Sequence, residues 1–236
     1  MPIHLDPTLP EPLYPVAWLI GSWRGYGAVQ LREEDGTVTE RRIEQQLEVS
    51  AREDATIAWS MRTEMIDAPA PLPPTSAFAR DDAERTAPVG SGERTLLMRE
   101  SGTWRIGEPL PGQDLEAARA AAPGDPAGVL SYAVSAQIAA DGDDGVTALG
   151  SESASESAGE EAGAEWAGEV RGPRILLARR AADSIAGAQG TAAGSVLETR
   201  MFGYVAGRLM WLWERRPVGS PTEELAPYLS VEMDRA

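Results

Sequence analysis

The chain has no cysteine, no lysine and no asparagine, and its single histidine is His4, near the beginning. Without cysteine there can be no disulfide, no thiolate metal site and no cysteine nucleophile. Without lysine there is no Walker A phosphate cradle and no Schiff-base chemistry. One histidine leaves no Ser-His-Asp constellation and no histidine-based zinc site. Apolar runs long enough for a membrane-spanning helix are also missing. Met1-Pro2-Ile3-His4-Leu5-Asp6 lacks the basic and apolar regions of a signal peptide. These absences predict a soluble, cytoplasmic protein with no membrane partner. His4 sits in a Pro-rich arm and reads as a solvated side chain, not a ligand.

What the chain does have is acidity. Its formal net charge is −16 over 236 residues, and all 21 basic residues are arginine. Such a chain repels phosphate, so nucleic acid and anionic lipid are not expected partners. The length suits one large all-β domain or two small ones. Alternation with a period of two recurs along it. Ile57, Trp59, Met61 and Met65 share one parity, as do Leu229, Val231 and Met233. Val196 to Tyr204 and Arg208 to Glu214, joined by Ala206-Gly207, read as a hairpin. Residues 13–20 read as a helical turn that plugs a barrel end. Residues 68–92, rich in Pro, Ala and Asp, read as a long loop. The stretch from about 107 to 164 reads as an insertion, with a short helix over Gln113–Ala122 and a strand over Val129–Ile138. Its acidic part, from Asp141 to Glu161, is low in large apolar groups and is expected to be disordered. It is not a calcium loop. Counting from Asp141, position five is Gly145 and position six Val146, where an oxygen ligand and a glycine are required. Short strands, hairpins and little helix predict a closed antiparallel up-and-down β-barrel.

The most informative run is Gly21-Ser22-Trp23-Arg24-Gly25-Tyr26-Gly27, a G-x-W-x-G-x-G motif that follows Pro15-Val16-Ala17-Trp18-Leu19-Ile20. Glycines let a strand bend and let another backbone approach closely, and a tryptophan can cover a barrel end. The motif therefore closes the barrel, and a second reading has it also shape the wall of a ligand cavity. It lacks the third glycine and the following helix of a dinucleotide fingerprint. Glu100-Ser101-Gly102-Thr103-Trp104-Arg105-Ile106 and the hairpin around Arg171-Gly172-Pro173 are two further distinctive runs. Together these segments resemble the nitrobindin family, over residues 13–30, 94–106 and 165–236. The resemblance implies a fatty-acid-binding-protein-like barrel that binds ferric haem b, isomerises peroxynitrite to nitrate and binds nitric oxide. It also implies an iron-ligating histidine near the C-terminus. In this chain the matching run is Ala226-Pro227-Tyr228-Leu229-Ser230, and Tyr228 stands in that place.

The expectation that follows is a nitrobindin-like barrel without the standard haem ligation, free to bind a small hydrophobic ligand. The alternative is a haem protein that acts on peroxynitrite or nitric oxide through Tyr228, since haem iron accepts tyrosinate. Parity puts Tyr228 with Ser230 and Glu232, away from the side of Val231, and a bulge after Pro227 would reverse that. Arg200, in Thr199-Arg200-Met201-Phe202-Gly203-Tyr204, is expected to stack on an aromatic ring, with Trp23 offered as partner. Trp211 and Trp213 share a face with Leu209, while Met210 and Leu212 occupy the other. A strand apolar on both faces suggests cover by the insertion or by a second subunit in a homodimer. A third class of function is a partner-binding protein that uses the barrel face and the acidic insertion.

Overall fold

The computed structural model describes residues 8–33, 36–67, 90–122, 124–141, 163–181, 195–217 and 224–236. His4 and the acidic tract over 142–162 lie outside them, so the expectations for both fall outside the described residues.

Ten antiparallel strands form one closed barrel. They are β1 (Gly21–Arg32), β2 (Val38–Ala51), β3 (Thr56–Ile66), β4 (Arg94–Pro109), β5 (Ser131–Asp141), β6 (Ala164–Arg171), β7 (Arg174–Arg180), β8 (Val196–Val205), β9 (Arg208–Arg215) and β10 (Ala226–Arg235). Each strand pairs with the next in sequence, and β1 pairs with β10 to close the ring. This is the predicted up-and-down barrel. Closure satisfies both edge strands, which would otherwise expose unpaired backbone groups.

The alternation seen in the sequence becomes inside and outside. Ile43, Leu47 and Val49 of β2 and Ile57, Trp59 and Met61 of β3 are buried in the core. The outer face carries ion pairs instead. Glu44 is covered by Arg24 and Arg94, Arg62 pairs with Glu64, and Arg208 pairs with Glu232 and Asp234. A lipid-facing barrel has the opposite arrangement, apolar outside and polar inside. Among the described residues, no helix is long and apolar enough to cross a membrane.

The two ends of the barrel differ. At one end the strands are joined across 52–55, 110–130, 172–173 and 206–207. A 3-10 turn, Glu11–Val16, packs there and buries Leu13 and Val16. Trp18 fastens it by donating its indole N–H to the carbonyls of Pro15 and Gly172, both at 3.1 Å. This is the plug predicted for residues 13–20, and this end is called the plugged end. At the loop end, strands are joined across 33–37, 67–93, 142–163, 181–195 and 216–225.

One expectation needs correction. The stretch from 107 is not an insertion as far as 141. It completes β4, supplies a short helix α1 (Leu115–Ala120) capped by Asp114, and contributes β5, an integral barrel strand between β4 and β6. On the outer face of β9, Met210 is 43 % exposed within the single chain.

Candidate functional site

The loop-end interior is built around Tyr228. Pro227 cannot donate to a sheet ladder. The register of β10 on β9 shifts between Pro227 and Leu229, which leaves Tyr228 as the extra residue of a bulge. The strict alternation that would turn Tyr228 outward is thereby broken, and Tyr228 and Leu229 are both buried. The Tyr228 ring meets Trp213 edge-on, with centroids 5.0 Å apart and planes at 89°. The Arg215 guanidinium carbon lies 3.4 Å from the Tyr228 centroid. Trp213 and Arg215 share an inward face because they lie two residues apart on β9.

Burial pushes the Tyr228 phenol above its ordinary value, Arg215 pulls it down, Glu100 and Glu198 push it up, and Arg200 pulls it down. The net direction is upward, so the phenol is neutral at neutral pH. A raised folded-state pKa means that the folded protein holds this proton more tightly than the unfolded chain. The associated stability is complete below the unfolded value, about 10, and is lost as pH rises through the folded value. Wild type is therefore expected to lose more stability than Tyr228→Phe between about pH 9 and pH 11. Urea midpoints at both pH values check this. Equal losses in the two proteins would mean that the phenol titrates as it does in the unfolded chain.

Beneath Tyr228 lies a buried ion pair. Arg200 of β8 donates from both terminal nitrogens to the two carboxylate oxygens of Glu100 of β4, at 3.0 and 2.6 Å. Both side chains are 2 % exposed. The guanidinium carbon of Arg200 lies 4.0 Å from the Trp213 ring centroid, 4.6 Å from Trp166 and 5.7 Å from Trp211. Deeper still, Trp59 and Trp104 stack at 4.9 Å, and Phe202 stacks on Trp211 at 5.4 Å. Trp211 donates to Gln45 at 2.6 Å, and Gln45 donates to Thr63 at 2.8 Å. The indole nitrogens of Trp59 and Trp104 and the Nε of Arg200 are buried without a hydrogen-bond partner among the described residues.

The motif residues lie elsewhere. Trp23, Gly25 and Gly27 line the seam between β1 and β10, and Gly21 lies just beyond it beside the Arg235 side chain. A Cβ on Gly25 would sit 2.0 Å from the Glu232 carbonyl oxygen, and one on Gly27 would sit 1.9 Å from that of Ser230. The two strands approach too closely for any other residue. Trp23 is buried at the plugged end and donates to the Leu19 carbonyl at 2.8 Å. Arg235 stacks on it at 4.5 Å. Trp23 is therefore not the partner of Arg200, because the cation on its ring is Arg235 and Arg200 belongs to the tryptophans of β6 and β9. Arg235, opposite Trp23 in the ladder, lies seven residues along β10 from Tyr228, about 23 Å at ~3.3 Å per residue. Trp23 and Tyr228 thus stand towards opposite ends of the barrel, while Gly27, opposite Val231, comes within three residues of Tyr228 along β10. Glu100, Glu198 and Arg215 escaped the sequence reading as site residues. The signal for Arg215 was its parity with Leu209, Trp211 and Trp213.

The model of the THAP4-like, heme-binding β-barrel domain matches residues 12–143. The chain belongs to this family, the nitrobindin family. Relatives span its full length. A protein named peroxynitrite isomerase from Kocuria rhizophila is 26 % identical, over 100 % of this chain and 96 % of its own. One of the same name from Leifsonia xyli subsp. xyli is 28 % identical, over 99 % of each chain. A ferric nitrobindin-like protein from Beutenbergia cavernae is 26 % identical, over 98 % of this chain and 96 % of its own.

The nitrobindin family binds haem, and the loop-end interior can be tested for its fit to one. An oxygen ligand for ferric iron at Tyr228 must be a phenolate, a form that burial disfavours and the Arg215 guanidinium favours. Its ring is also held on two sides, by the edge-on contact with Trp213 and by the Arg215 guanidinium. Three indoles and an ion pair occupy the layer below. The described residues include no histidine or cysteine, and no group of three or more acidic residues among them could hold a metal ion. These residues do not fit a haem held through its iron at Tyr228.

Proposed function

We propose that this nitrobindin-family barrel has lost the axial histidine, with Tyr228 in its place, and binds a small apolar molecule at its loop end instead of an iron-held haem. The observation that carries this reading is the setting of Tyr228, turned inward by the bulge, kept neutral by burial, and clamped between Trp213 and Arg215. Peroxynitrite isomerisation, the activity in the names of two relatives, is then not expected of this chain. Leu31, Met65 and Met98, partly buried against the core, offer apolar surface at the same end. The absence of cysteine suits a cytoplasmic location.

A second reading rests on Arg215, whose charge favours the phenolate form of Tyr228 and so a tyrosinate ligand. An absorption titration with ferric haem separates the two. Wild type is expected to give no sharp saturable Soret band, while Tyr228→His, which restores an imidazole at this position, gains one. Saturable one-to-one binding by wild type, abolished in Tyr228→Phe, would replace the first reading by the second. Failure of both wild type and Tyr228→His to bind haem would show that more than the ligand has been lost.

A further inference from the structure

Among the described residues, the loop-end interior carries a positive charge without an ion-pair partner, inside a strongly acidic protein. The register defines one layer of inward side chains just above Arg200. Arg215 lies two residues beyond Trp213 on β9, and Glu198 two residues beyond Arg200 on β8. Arg179 of β7 stands opposite Glu198. Met98 of β4 lies two residues beyond Glu100, which binds Arg200. On β1, Leu31 lies two residues beyond Val29, which is linked through Leu229 to Trp213.

Charges in this layer can be matched one by one. Arg179 pairs with Glu198 at 2.5 Å, and the other Glu198 oxygen accepts from Trp213 at 3.1 Å. In the layer below, Arg200 and Glu100 neutralise each other. The Arg215 guanidinium stacks on Tyr228; Glu198 stands opposite it in the ladder but is taken up by Arg179 and Trp213, so Arg215 makes no ion pair among the described residues. Tyr228 does not neutralise it, because burial keeps the phenol protonated. Leu31 and Met98 share this layer, and Met65 stands near it on β3; all three are partly exposed apolar side chains. An apolar wall and one unmatched, half-buried guanidinium therefore face the same interior.

We propose that the loop end takes an amphipathic organic anion, with its carboxylate or sulfonate on Arg215 and its apolar body against Leu31, Met65 and Met98. This rests on the reading of the barrel as a binder of small apolar molecules and adds the charge of the ligand to it. The guanidinium offers planar paired donors to such a group. In a partly desolvated site the attraction is little screened.

The test uses two fluorescent probes with the same ring system, the anion anilinonaphthalene sulfonate and uncharged phenylnaphthylamine. Wild type is expected to bind the anion at least about tenfold more tightly, the size of one charge-assisted hydrogen bond. Arg215→Gln is expected to remove that preference and still bind phenylnaphthylamine, and Arg215→Lys to retain most of it. Thermal melts of the variants check that the barrel is intact. Equal affinities of wild type for the two probes, or an unchanged preference in Arg215→Gln, overturn the anion inference and leave the apolar-ligand reading standing. No saturable binding of either probe by wild type overturns both.

Discussion

Replacing Gly27 by alanine is expected to unseat the seam that closes the barrel, at a cost above about 3 kcal/mol. For a chain of this size that is a fall in Tm on the order of 10 °C. The reason is what the new methyl group meets. It would lie 1.9 Å from the Ser230 carbonyl oxygen and 2.8 Å from the Val231 Cα. Those are backbone atoms of β10, so no side chain can turn aside to make room. Relief requires moving β10 away from β1, and that ladder is the closure between the first and last strands. Opening it leaves two unsatisfied edges and uncovers the core beside Trp23 and Met233. Gly203 is the control, since a Cβ there meets nothing within 4 Å. Gly203→Ala is expected within about 1 kcal/mol of wild type, on the stabilising side, because alanine has less backbone freedom to lose on folding. Thermal melts of the two variants decide the matter. A Gly27→Ala protein that melts with wild type would mean that the strands are not in close contact at the seam.

The barrel itself was legible because its strands obey a local rule. Ile57, Trp59 and Met61 alternate with Ala58, Ser60 and Arg62, and Leu229, Val231 and Met233 with Ser230, Glu232 and Asp234. Burial follows the same alternation. Where the rule fades, so did the reading. The inward positions of β5 include Ala136 beside Val134 and Ile138, and the strand follows a Pro- and Ala-rich segment. A strand with so small an inner face looks like part of an insertion until its neighbours are in place. Gly102, in the run Glu100 to Ile106, falls inside β4. In the barrel that glycine allows close approach, since a Cβ would lie 2.2 Å from the Gln137 carbonyl oxygen of β5.

The site was less legible, for a different reason. The direction of Tyr228 depends on a bulge, and two outcomes were open until the slip beside Pro227 was located. An arginine on an aromatic ring was correct for Arg200, but Trp23 was the wrong ring. Choosing between seven tryptophans requires knowing which strands face each other across the closed ring. Glu100 and Arg200 are a hundred residues apart in sequence and come from strands that are not ladder neighbours. No local pattern encodes such a contact, because it exists only once the sheet has closed.

That contact gives the second large effect expected here. Arg200→Ala and Glu100→Ala are each expected to cost about 3–5 kcal/mol, because each strands its partner's charge in the interior. The two side chains are 2 % exposed, so water cannot replace the lost partner. Losing the guanidinium also removes the cation held between the Trp213 and Trp166 rings. The double variant Arg200→Met, Glu100→Leu behaves differently. It leaves no charge behind and fills similar volume with apolar groups, so it is expected to lie within about 2 kcal/mol of wild type. With the matching single variants Arg200→Met and Glu100→Leu the cycle is complete, and its coupling, read from urea midpoints, is then large and favourable. Single variants that cost under about 1 kcal/mol would show that water reaches the pair, as at a surface bridge. The same double variant also isolates the charge of the layer above. It removes one positive and one negative group together, so Arg215 remains without an ion-pair partner among the described residues. Its preference for anilinonaphthalene sulfonate over phenylnaphthylamine is expected to match that of wild type. A lost preference in a stably folded double variant would move the anion-selecting charge from Arg215 to Arg200.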